Sequence, residues 1–372
     1  MFRVKKIERR FKKRNMVLDF AKEAIENAAT HSINFDELKA GKANIKVFGV
    51  GGAGCNAVTW LFNKGINGAT IYALNTDALH LSISKADEKI LIGKELTRGL
   101  GCGGYPNRGK EAAKEAISEI KKSVANADMV FVIAGMGGGT GTGASPEVAQ
   151  LAKECGAIVI GVVTMPFECE KARIDKAEFG LQELRENTHT VVVIDNNRLV
   201  DIAGNLPIEQ AFAVANELVS TMIKGIVETI TLPSLINLDY ADVSTIMRNG
   251  DVAVIGIGEA DTQARVQEAV RQALTHPLLD VDCRGATGAL VHVTGGPDLK
   301  LEEFANIGKL VTENISPDAQ VIIGARISKE FAGKVRVITI MTGVKSPYVL
   351  GKPREAQNLR SEISDLGIEV YR

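Results

Sequence analysis

The sequence predicts an α/β protein that has a doubly wound parallel sheet, a long central helix and a second, smaller α/β domain. From Asn44 to Ile194, apolar strands alternate with helical segments, an order that is typical of doubly wound sheets. These strands are near-continuous runs of Val and Ile, as in parallel sheets that are buried on both faces. A single helical pattern then continues from Ile208 to Ile230, and Pro233 ends it.

The individual elements follow this architecture in order. The first domain is predicted to have six strands, at 45–50, 70–74, 89–92, 129–134, 157–164 and 190–194. Its helices are expected at 55–63, at 107–124, after the glycine-rich turn that begins at 137, and at 174–187. The second domain is predicted to have strands at 252–257, 290–294, 321–327 and 335–341, with helices near 262–275 and 301–313. Because only a short loop separates the last two strands, we expect them to pair antiparallel.

The composition describes a soluble globular protein that lacks a nucleic-acid partner. Of the 372 residues, 45% are apolar and 24% are charged, and the formal net charge is −1. This length predicts two domains, and so neutral a chain is not built to bind nucleic acid. Five cysteines without a C-x-x-C pair indicate a reducing compartment rather than disulfides or structural zinc. No apolar stretch reaches membrane-spanning length, so we expect a cytoplasmic protein.

A glycine-rich turn follows the strand at 129–134 and precedes a helical segment. Seven consecutive residues form it: Gly137, Gly138, Gly139, Thr140, Gly141, Thr142 and Gly143. Glycines let successive backbone N–H groups face one point, and the helix N-terminus behind them favours an anion there. The two threonine hydroxyls are further donors for phosphate oxygens. Because the turn contains no Lys, it is not the G-x-x-x-x-G-K-[ST] loop of other NTPases.

Two more glycine-rich turns follow other strands of the same domain. The segment 49–54 fits G-x-G-x-x-G, and Asp77 lies where the ribose-binding acid of a dinucleotide enzyme would lie. A third turn covers 97–106. Three such turns at strand ends fit a triphosphate that is surrounded on several sides better than a pyrophosphate on one helix. The first domain is therefore predicted to bind a nucleotide, and an NAD(P)-dependent oxidoreductase is the alternative.

These motifs together resemble the FtsZ family, the bacterial and archaeal cell-division relatives of tubulin. The resemblance covers about residues 44–344 in the family's order, and the charged N-terminal extension favours the archaeal branch. It rests on five sequence motifs: GGAGCN, NTD, TRGLGCGG, GGGTGTG and NLDYADV. The division of the chain that follows is a charged helical extension at 1–43, a GTP-binding domain at 44–207, a connecting helix at 208–231, a C-terminal activation and assembly domain at 232–345, and a tail at 346–372.

The resemblance implies GTP or GDP as the ligand, with Mg²⁺ bridging the β- and γ-phosphate oxygens. The metal is expected to be held mainly by the phosphates, so no side chain is assigned to it. The implied contacts with phosphate and sugar, beyond the turn at 137–143, are Gly51, Gly52, Ala53, Gly54, Cys55, Asn56, Asp77, Gly101, Gly103 and Gly104.

The implied ribose and guanine contacts depart from the family pattern at three places. The ribose pair is Glu170 and Arg173, but the family's E-G-K-x-R is one residue shorter here. Asn196 would read guanine and Phe212 would pack against the base. The family's Ile-Pro-Asn is replaced by Ile-Asp-Asn at 194–196, the motif that ends in Asn196. Four residues after Phe212, where the family usually has Asp, this chain has Asn216. An amide can both donate and accept, so guanine recognition remains chemically feasible.

The resemblance assigns catalysis to Asp239 and Asp242, with Asn237 helping to place water. These residues follow the long helix, whose roughly 22 residues span about 33 Å, so they lie far from the phosphates of their own chain. The implied solution is head-to-tail assembly, in which they act on the GTP of the neighbouring subunit. Such a heterologous contact makes an open filament, here the cell-division ring at mid-cell. The alternative structural role for either Asp is to cap the following helix.

The two ends of the chain and the histidines leave other questions open. Residues 1–14 contain eight Lys or Arg and one Glu, and they fit either a solvated arm or a membrane-surface helix. The tail at 361–372 occupies the family's position for binding membrane-tethering or ring-regulating partners, but it lacks the bacterial Pro-x-Phe-Leu pattern. A nucleotide-regulated scaffold that hydrolyses GTP poorly is a third functional hypothesis. The five histidines have no metal-ligand spacing, and we predict that all of them are structural.

Overall fold

The computed structural model describes residues 43–232, 234–236, 238–248, 252–275 and 285–344. The predictions for the N-terminal extension, for Asn237 and for the tail lie outside these residues.

The first sheet has six parallel strands in the order β3-β2-β1-β4-β5-β6, which confirms the predicted doubly wound architecture. The chain order reverses between β1 and β4, and ligands of such sheets bind at this switch point, beyond the carboxyl ends of the strands. The six strands are β1 (Ile45–Val50), β2 (Ala69–Asn75), β3 (Glu88–Leu91), β4 (Met129–Gly135), β5 (Ile158–Met165) and β6 (Thr190–Asp195).

Helices cover both faces of this sheet, and α9 leads to the second domain. Every residue of β1 is buried, as its unbroken apolar sequence predicts. The predicted single helix at 107–124 is in fact two helices, because the backbone at Ala116 (φ −94°, ψ 15°) leaves the helical region. The helices are α1 (Gly51–Lys64), α2 (Ala78–Ile83), α3 (Lys94–Thr97), α4 (Pro106–Glu115), α5 (Ile117–Val124), α6 (Thr140–Glu154), α7 (Ala172–Glu186), α8 (Asn196–Ala203) and α9 (Ile208–Thr231).

The second sheet has four strands in the order β7-β10-β8-β9. The strand β10 is antiparallel to β7 and to β8, whereas β8 and β9 are parallel and are connected through α12. The elements of this domain are α10 (Tyr240–Arg248), β7 (Ala253–Ala260), α11 (Arg265–Leu274), β8 (Gly288–Gly295), α12 (Leu301–Thr312), β9 (Gln320–Ile327) and β10 (Val335–Thr342).

The predicted antiparallel pairing of 321–327 with 335–341 is wrong, because β8 lies between these two strands. Burial explains the arrangement. In β10 every residue except Arg336 is buried, whereas Gln320 and Ile327 at the two ends of β9 are exposed. The more apolar strand therefore takes the inner position, and the more polar strand forms the edge.

One apolar core continues from the first sheet to the second. It contains Ile133 of β4, Val219 and Ile226 of α9, and Leu290 of β8. The 24 residues of α9 extend about 36 Å and contribute to this core along much of the helix. Within the described ranges, no helix combines the length and the apolar character needed to cross a membrane.

Candidate nucleotide-binding site

Close packing of glycines brings the three predicted turns together. A Cβ on Gly51 would lie 2.7 Å from the backbone N of Gly141, so the turns after β1 and β4 touch. A Cβ on Gly143 would lie 1.9 Å from the carbonyl of Pro106, and one on Gly139 would lie 2.6 Å from the Cβ of Cys102. Larger residues at these positions would push the turns apart.

Other glycines in the turns face open space instead. A Cβ on Gly52 or Gly138 would have no neighbour within 4 Å, and neither residue has a positive φ. Gly101 and Gly104 also face open space, although both have a positive φ. Neither packing nor backbone conformation thus requires glycine at 52 and 138. A ligand that approaches the backbone closely would account for glycine at both positions. The open cradle formed by Gly52, Gly101, Gly104 and Gly138 fits a phosphate chain.

Two helices present their N-termini to this space without side-chain caps. The helices α1 and α6 begin at Gly51 and Thr140, and neither has a side-chain hydrogen bond at its N-cap or an acidic residue in its first turn. Their first backbone N–H groups and the positive ends of their dipoles therefore remain available to an anion.

The threonines of the 137–143 turn lie in different surroundings. The Thr140 hydroxyl is 2.6 Å from the Thr76 hydroxyl and so connects the turn to the end of β2. Thr142 is buried, and its methyl group would meet a Cβ on Gly180 of α7 at 2.2 Å. The Thr142 hydroxyl has no hydrogen-bond partner within the described residues. The phosphate contacts expected of both hydroxyls stay predictions.

A cavity of about 380 Å³ opens beside the glycine-rich turns. Its walls come from the start of α1, the ends of β4 and β5, the start of α8 and one face of α9. Six of the predicted contacts line it: Gly52, Ala53, Asn56, Asn196, Phe212 and Asn216. Residues far apart in the sequence thus meet at one apolar cavity that has a few convergent amides, which is the usual form of a nucleotide-base site.

The predicted base contacts are held by helix starts and aromatic packing. Asp195 caps α8 by accepting a hydrogen bond from the backbone N of Asn197 at 2.8 Å, and this fixes Asn196 as the first residue of the helix. The Phe212 ring meets the Phe167 ring edge-on, with 6.1 Å between centroids. Phe212 is 40% exposed, so an aromatic face remains available for a base.

The predicted ribose contacts Glu170 and Arg173 form an ion pair with each other, with 2.5 Å between Oε2 and Nη1. Glu170 also accepts a hydrogen bond from the backbone N of Phe167 at 3.0 Å. A Cβ on Gly137 would lie 2.8 Å from the carbonyl of Arg173, so the segment at 170–173 lies against the glycine-rich turn at 137–143.

The remaining predicted contacts also have structural roles. Asp77 caps α2 through the backbone N of His80. Gly54 packs against the carbonyl of Ile133, and Gly103 packs against the ring of Tyr105. Burial raises the pKa of the Cys55 thiol to about 12, so this thiol stays protonated and fills space.

Sequence reasoning missed two polar residues that line the cavity, His80 and Thr164. His80 was predicted to be structural because its sequence spacing fits no metal site. It enters the wall of the cavity through α2, a six-residue helix that the apolar pattern did not predict. The Asp77 cap three residues earlier was the one local signal for this helix.

Asp239 and Asp242 lie near the amino-terminal ends of the parallel strands, opposite the glycine-rich turns. The Tyr240 hydroxyl, next to Asp239, donates to the carbonyl of Asp128 at 2.8 Å. Asp128 immediately precedes β4, and the turn at 137–143 follows β4. The seven residues of β4, about 20 Å in length, therefore separate the acidic residues from this turn. Asp239 also caps α10 through the backbone N of Asp242 at 2.9 Å, so the capping role holds for Asp239. Asn237 lies outside the described residues.

The protein side chains of the described ranges contain no group of three or more His, Cys, Asp or Glu that could hold a metal ion. The donors near the turns include backbone amides, hydroxyls and the Lys176 ammonium group, which donates to the carbonyl of Gly104 at 2.8 Å, and such a set fits a phosphate anion.

The doubly wound sheet, its glycine cradle and the attached four-stranded sheet define a two-domain α/β protein with a site shaped for a nucleotide. Comparison with known families matches residues 44–204 to the Tubulin/FtsZ family, GTPase domain, and residues 251–345 to the FtsZ family, C-terminal domain. The chain belongs to the FtsZ family, which confirms the resemblance.

Its relatives include archaeal proteins that match most of their length. Cell division protein FtsZ 2 of Methanocaldococcus jannaschii is 51% identical over 354 residues, which cover 94% of this chain and 93% of that protein. Cell division protein FtsZ 1 of Archaeoglobus fulgidus is 53% identical over 312 residues, which cover 84% and 85%. The solved FtsZ dimer of M. jannaschii has a TM-score of 0.77 at 49% identity and covers 87% of this chain and 92% of that one. CetZ2 from Haloferax volcanii shares the fold at 22% identity, with a TM-score of 0.71 over 87% of this chain and 100% of that one.

Proposed function

We propose that this protein binds GTP, polymerises head-to-tail and hydrolyses GTP at the contact between subunits, as part of a cell-division ring. The observation that carries the proposal is the separation of two half-sites. The glycine cradle lies at the carboxyl ends of the parallel strands, whereas Asp239 and Asp242 lie at the opposite edge. A second copy that packs head-to-tail would bring these carboxylates to the nucleotide.

The cradle and the cavity are proposed to hold the triphosphate and the base, respectively. The open backbone at Gly52 and Gly138 takes the phosphates, while Phe212, Asn196 and Asn216 take guanine. Mg²⁺ held by the phosphates would neutralise charge on the β- and γ-oxygens. The mixed donor and acceptor capacity of the two amides suits the N1–H and O6 edge of guanine.

The acidic segment, residues 238–242 with Asp239 and Asp242, is proposed to orient the attacking water. Asp239 is exposed and Asp242 is partly exposed, so both side chains can reach a neighbouring subunit. A carboxylate accepts a hydrogen bond from the water and directs its oxygen towards the γ-phosphorus. The water then adds to phosphorus as the bond to the β-phosphate oxygen breaks, which gives GDP and inorganic phosphate.

Exposed apolar side chains near both half-sites support self-association. Leu100, which pairs with Asp77 beside the cradle, is 84% exposed, and Leu235, shortly before the acidic segment, is 75% exposed. Contact between these two surfaces would remove both side chains from water, which is favourable. Since the two surfaces differ, the contact is heterologous, and repetition of it makes an open filament. The solved FtsZ dimer of M. jannaschii is a precedent at 49% identity.

The proposal also includes a GTP-binding domain at 44–207, a connecting helix at 208–231 and a C-terminal domain at 232–345. It further includes a cytoplasmic location at mid-cell and division partners that bind the tail. They derive from the family, whose curated relatives are named as cell division proteins.

Sedimentation with GTP, GDP, ATP or NAD, with released phosphate measured in parallel, tests the proposal. We expect pelleting and phosphate release that both require GTP, and loss of turnover in Asp242→Ala with GTP binding retained. Pelleting without turnover would favour a nucleotide-regulated scaffold, and NAD binding without pelleting would contradict any polymer.

A further inference from the structure

The segment that carries Asp239 is attached to the edge strand β9 of the second sheet. Ile236 exchanges two backbone hydrogen bonds with Ala325, at 3.0 and 3.1 Å between N and O. Leu238 follows and is only 2% exposed. The exposed Asp239 is therefore adjacent to a side chain that is fixed in the core, so the position of Leu238 determines where the carboxylate projects.

Gly324 of β9 makes the room for Leu238. A Cβ at Gly324 would lie 2.5 Å from Cγ and 2.8 Å from Cδ1 of Leu238, and 3.0 Å from the carbonyl O of Ile236. Gly324 lies within a regular strand and does not have a positive φ. Its backbone therefore does not require glycine, and the requirement comes from the segment packed on it.

The same row of the sheet also contacts α9. Gly324 is in register with His292 of β8, which is in register with Ile338 of β10. A Cβ on Gly225 of α9 would lie 2.5 Å from Cδ1 of Ile338. The helix and the acidic segment thus pack on one face of the sheet, each at a glycine that permits close approach.

We propose that Gly324 is a positioning residue for GTP hydrolysis: its missing side chain forms the seat for Leu238 and thereby sets the projection of Asp239 and Asp242 towards the next subunit. This inference rests on the proposed function, because it requires those carboxylates to act on a neighbouring subunit. A misplacement of about 1 Å costs up to about a hundredfold in rate, so one methyl group at this position is enough to impair turnover.

The test compares Gly324→Ala with a compensating pair and a matched control. Gly324→Ala should lower GTP turnover at saturating GTP by about tenfold or more, while the affinity of the monomer for GTP stays unchanged. Adding Leu238→Ala removes the two nearest of the three atoms that the new methyl group meets, so the double variant should recover turnover from the level of Gly324→Ala to that of Leu238→Ala alone. The matched control is Gly308→Ala in α12, where the new Cβ would meet Cδ1 of Ile323 at 2.9 Å, and its turnover should be unchanged.

Each outcome decides between positioning and mere stability. Wild-type turnover in Gly324→Ala would refute the positioning role of Gly324. A double variant with Leu238→Ala that turns GTP over more slowly than Gly324→Ala would refute it as well. Equal losses in Gly308→Ala and Gly324→Ala would likewise refute it. Should Gly324→Ala fail to fold, Leu238→Ala alone must lower turnover while GTP affinity is retained. Asp242→Ala separates the two claims: wild-type turnover in that variant refutes the proposed function itself, whereas its loss beside a fully active Gly324→Ala refutes only the seat.

Discussion

The Tyr240 hydroxyl donates a hydrogen bond to the backbone carbonyl of Asp128, with 2.8 Å between the two oxygens. Tyr240 begins α10, and Asp128 immediately precedes β4. This one bond therefore ties the acidic segment to the amino-terminal ends of the parallel strands, while the glycine-rich turns lie at their carboxyl-terminal ends.

Removing that bond should affect stability but not nucleotide binding. We expect Tyr240→Phe to lower the free energy of unfolding by about 1 kcal/mol, the net contribution of one such hydrogen bond. The affinity for GTP should not change, because the bond lies at the far edge of the sheet. Urea unfolding and a GTP titration measure the two quantities, and a loss of GTP affinity would contradict the placement of the two half-sites.

Gly52→Asp should separate folding from binding. The new side chain enters open space in the first turn of α1, where a negative charge stabilises a helix by about 0.3–1 kcal/mol. The same charge repels the phosphates, so GTP binding should be lost while the melting temperature is kept or raised. Equilibrium binding and thermal unfolding check this.

Gly143→Ala is the contrasting variant at a packing glycine. Its Cβ would lie 1.9 Å from the carbonyl of Pro106, so the fold must strain, at a cost of about 1–3 kcal/mol. We expect a lower melting temperature, with GTP binding impaired only as far as the fold is. A Gly143→Ala protein as stable as the wild type would show that the turns are not held by this contact.

His292 should make stability depend on pH. Burial first, and then the positive charge of Arg326, lower the pKa of His292 to about 4, and its Nδ1 has no partner within the described residues. Between pH 6.5 and 4 the His292 imidazole is protonated in the unfolded chain but neutral in the folded chain. The free energy of unfolding therefore falls as the pH falls through this window.

The expected size of this effect follows from the pKa difference. From pH 7.5 to pH 5.0, wild-type protein should lose about 2 kcal/mol more unfolding free energy than His292→Leu. Urea unfolding at the two pH values measures the difference. Equal losses in the two proteins would show that His292 does not titrate as described.

Asn216→Ala should weaken guanine recognition. The amide lines the cavity beside Phe212, and a buried polar group of guanine left without its partner costs about 1–3 kcal/mol. We therefore expect the preference for GTP over ATP to narrow, with phosphate contacts intact. Competitive binding of the two nucleotides measures this preference, and an unchanged preference would contradict a role of Asn216 in base recognition.

Much of the fold was predictable because the strands of the first sheet are unbroken apolar runs, such as β1 and β4. The order of the second sheet was not, because adjacency of β9 and β10 in sequence says nothing about β10 inserting beside β8. The short helix α2 was not predicted because it buries only Leu81. The place of His80 in the cavity wall was therefore not predicted either. The seat at Gly324 depends on a contact with Leu238 across 86 positions, which no local pattern reveals.

The most direct test of the central claim mixes two inactive variants. Asp242→Ala keeps its cradle and loses one catalytic carboxylate, whereas Gly52→Asp keeps both carboxylates and loses GTP binding. If the active site is shared between subunits, an equal mixture forms complete sites where the segment of Gly52→Asp meets the GTP of Asp242→Ala. Because assembly requires GTP, a Gly52→Asp subunit joins only through its acidic segment, on a GTP-bound Asp242→Ala subunit. GTP turnover of the mixture should therefore rise clearly above the sum of the two proteins measured separately. Turnover no greater than the sum of the two separate proteins would contradict a site shared between neighbouring subunits.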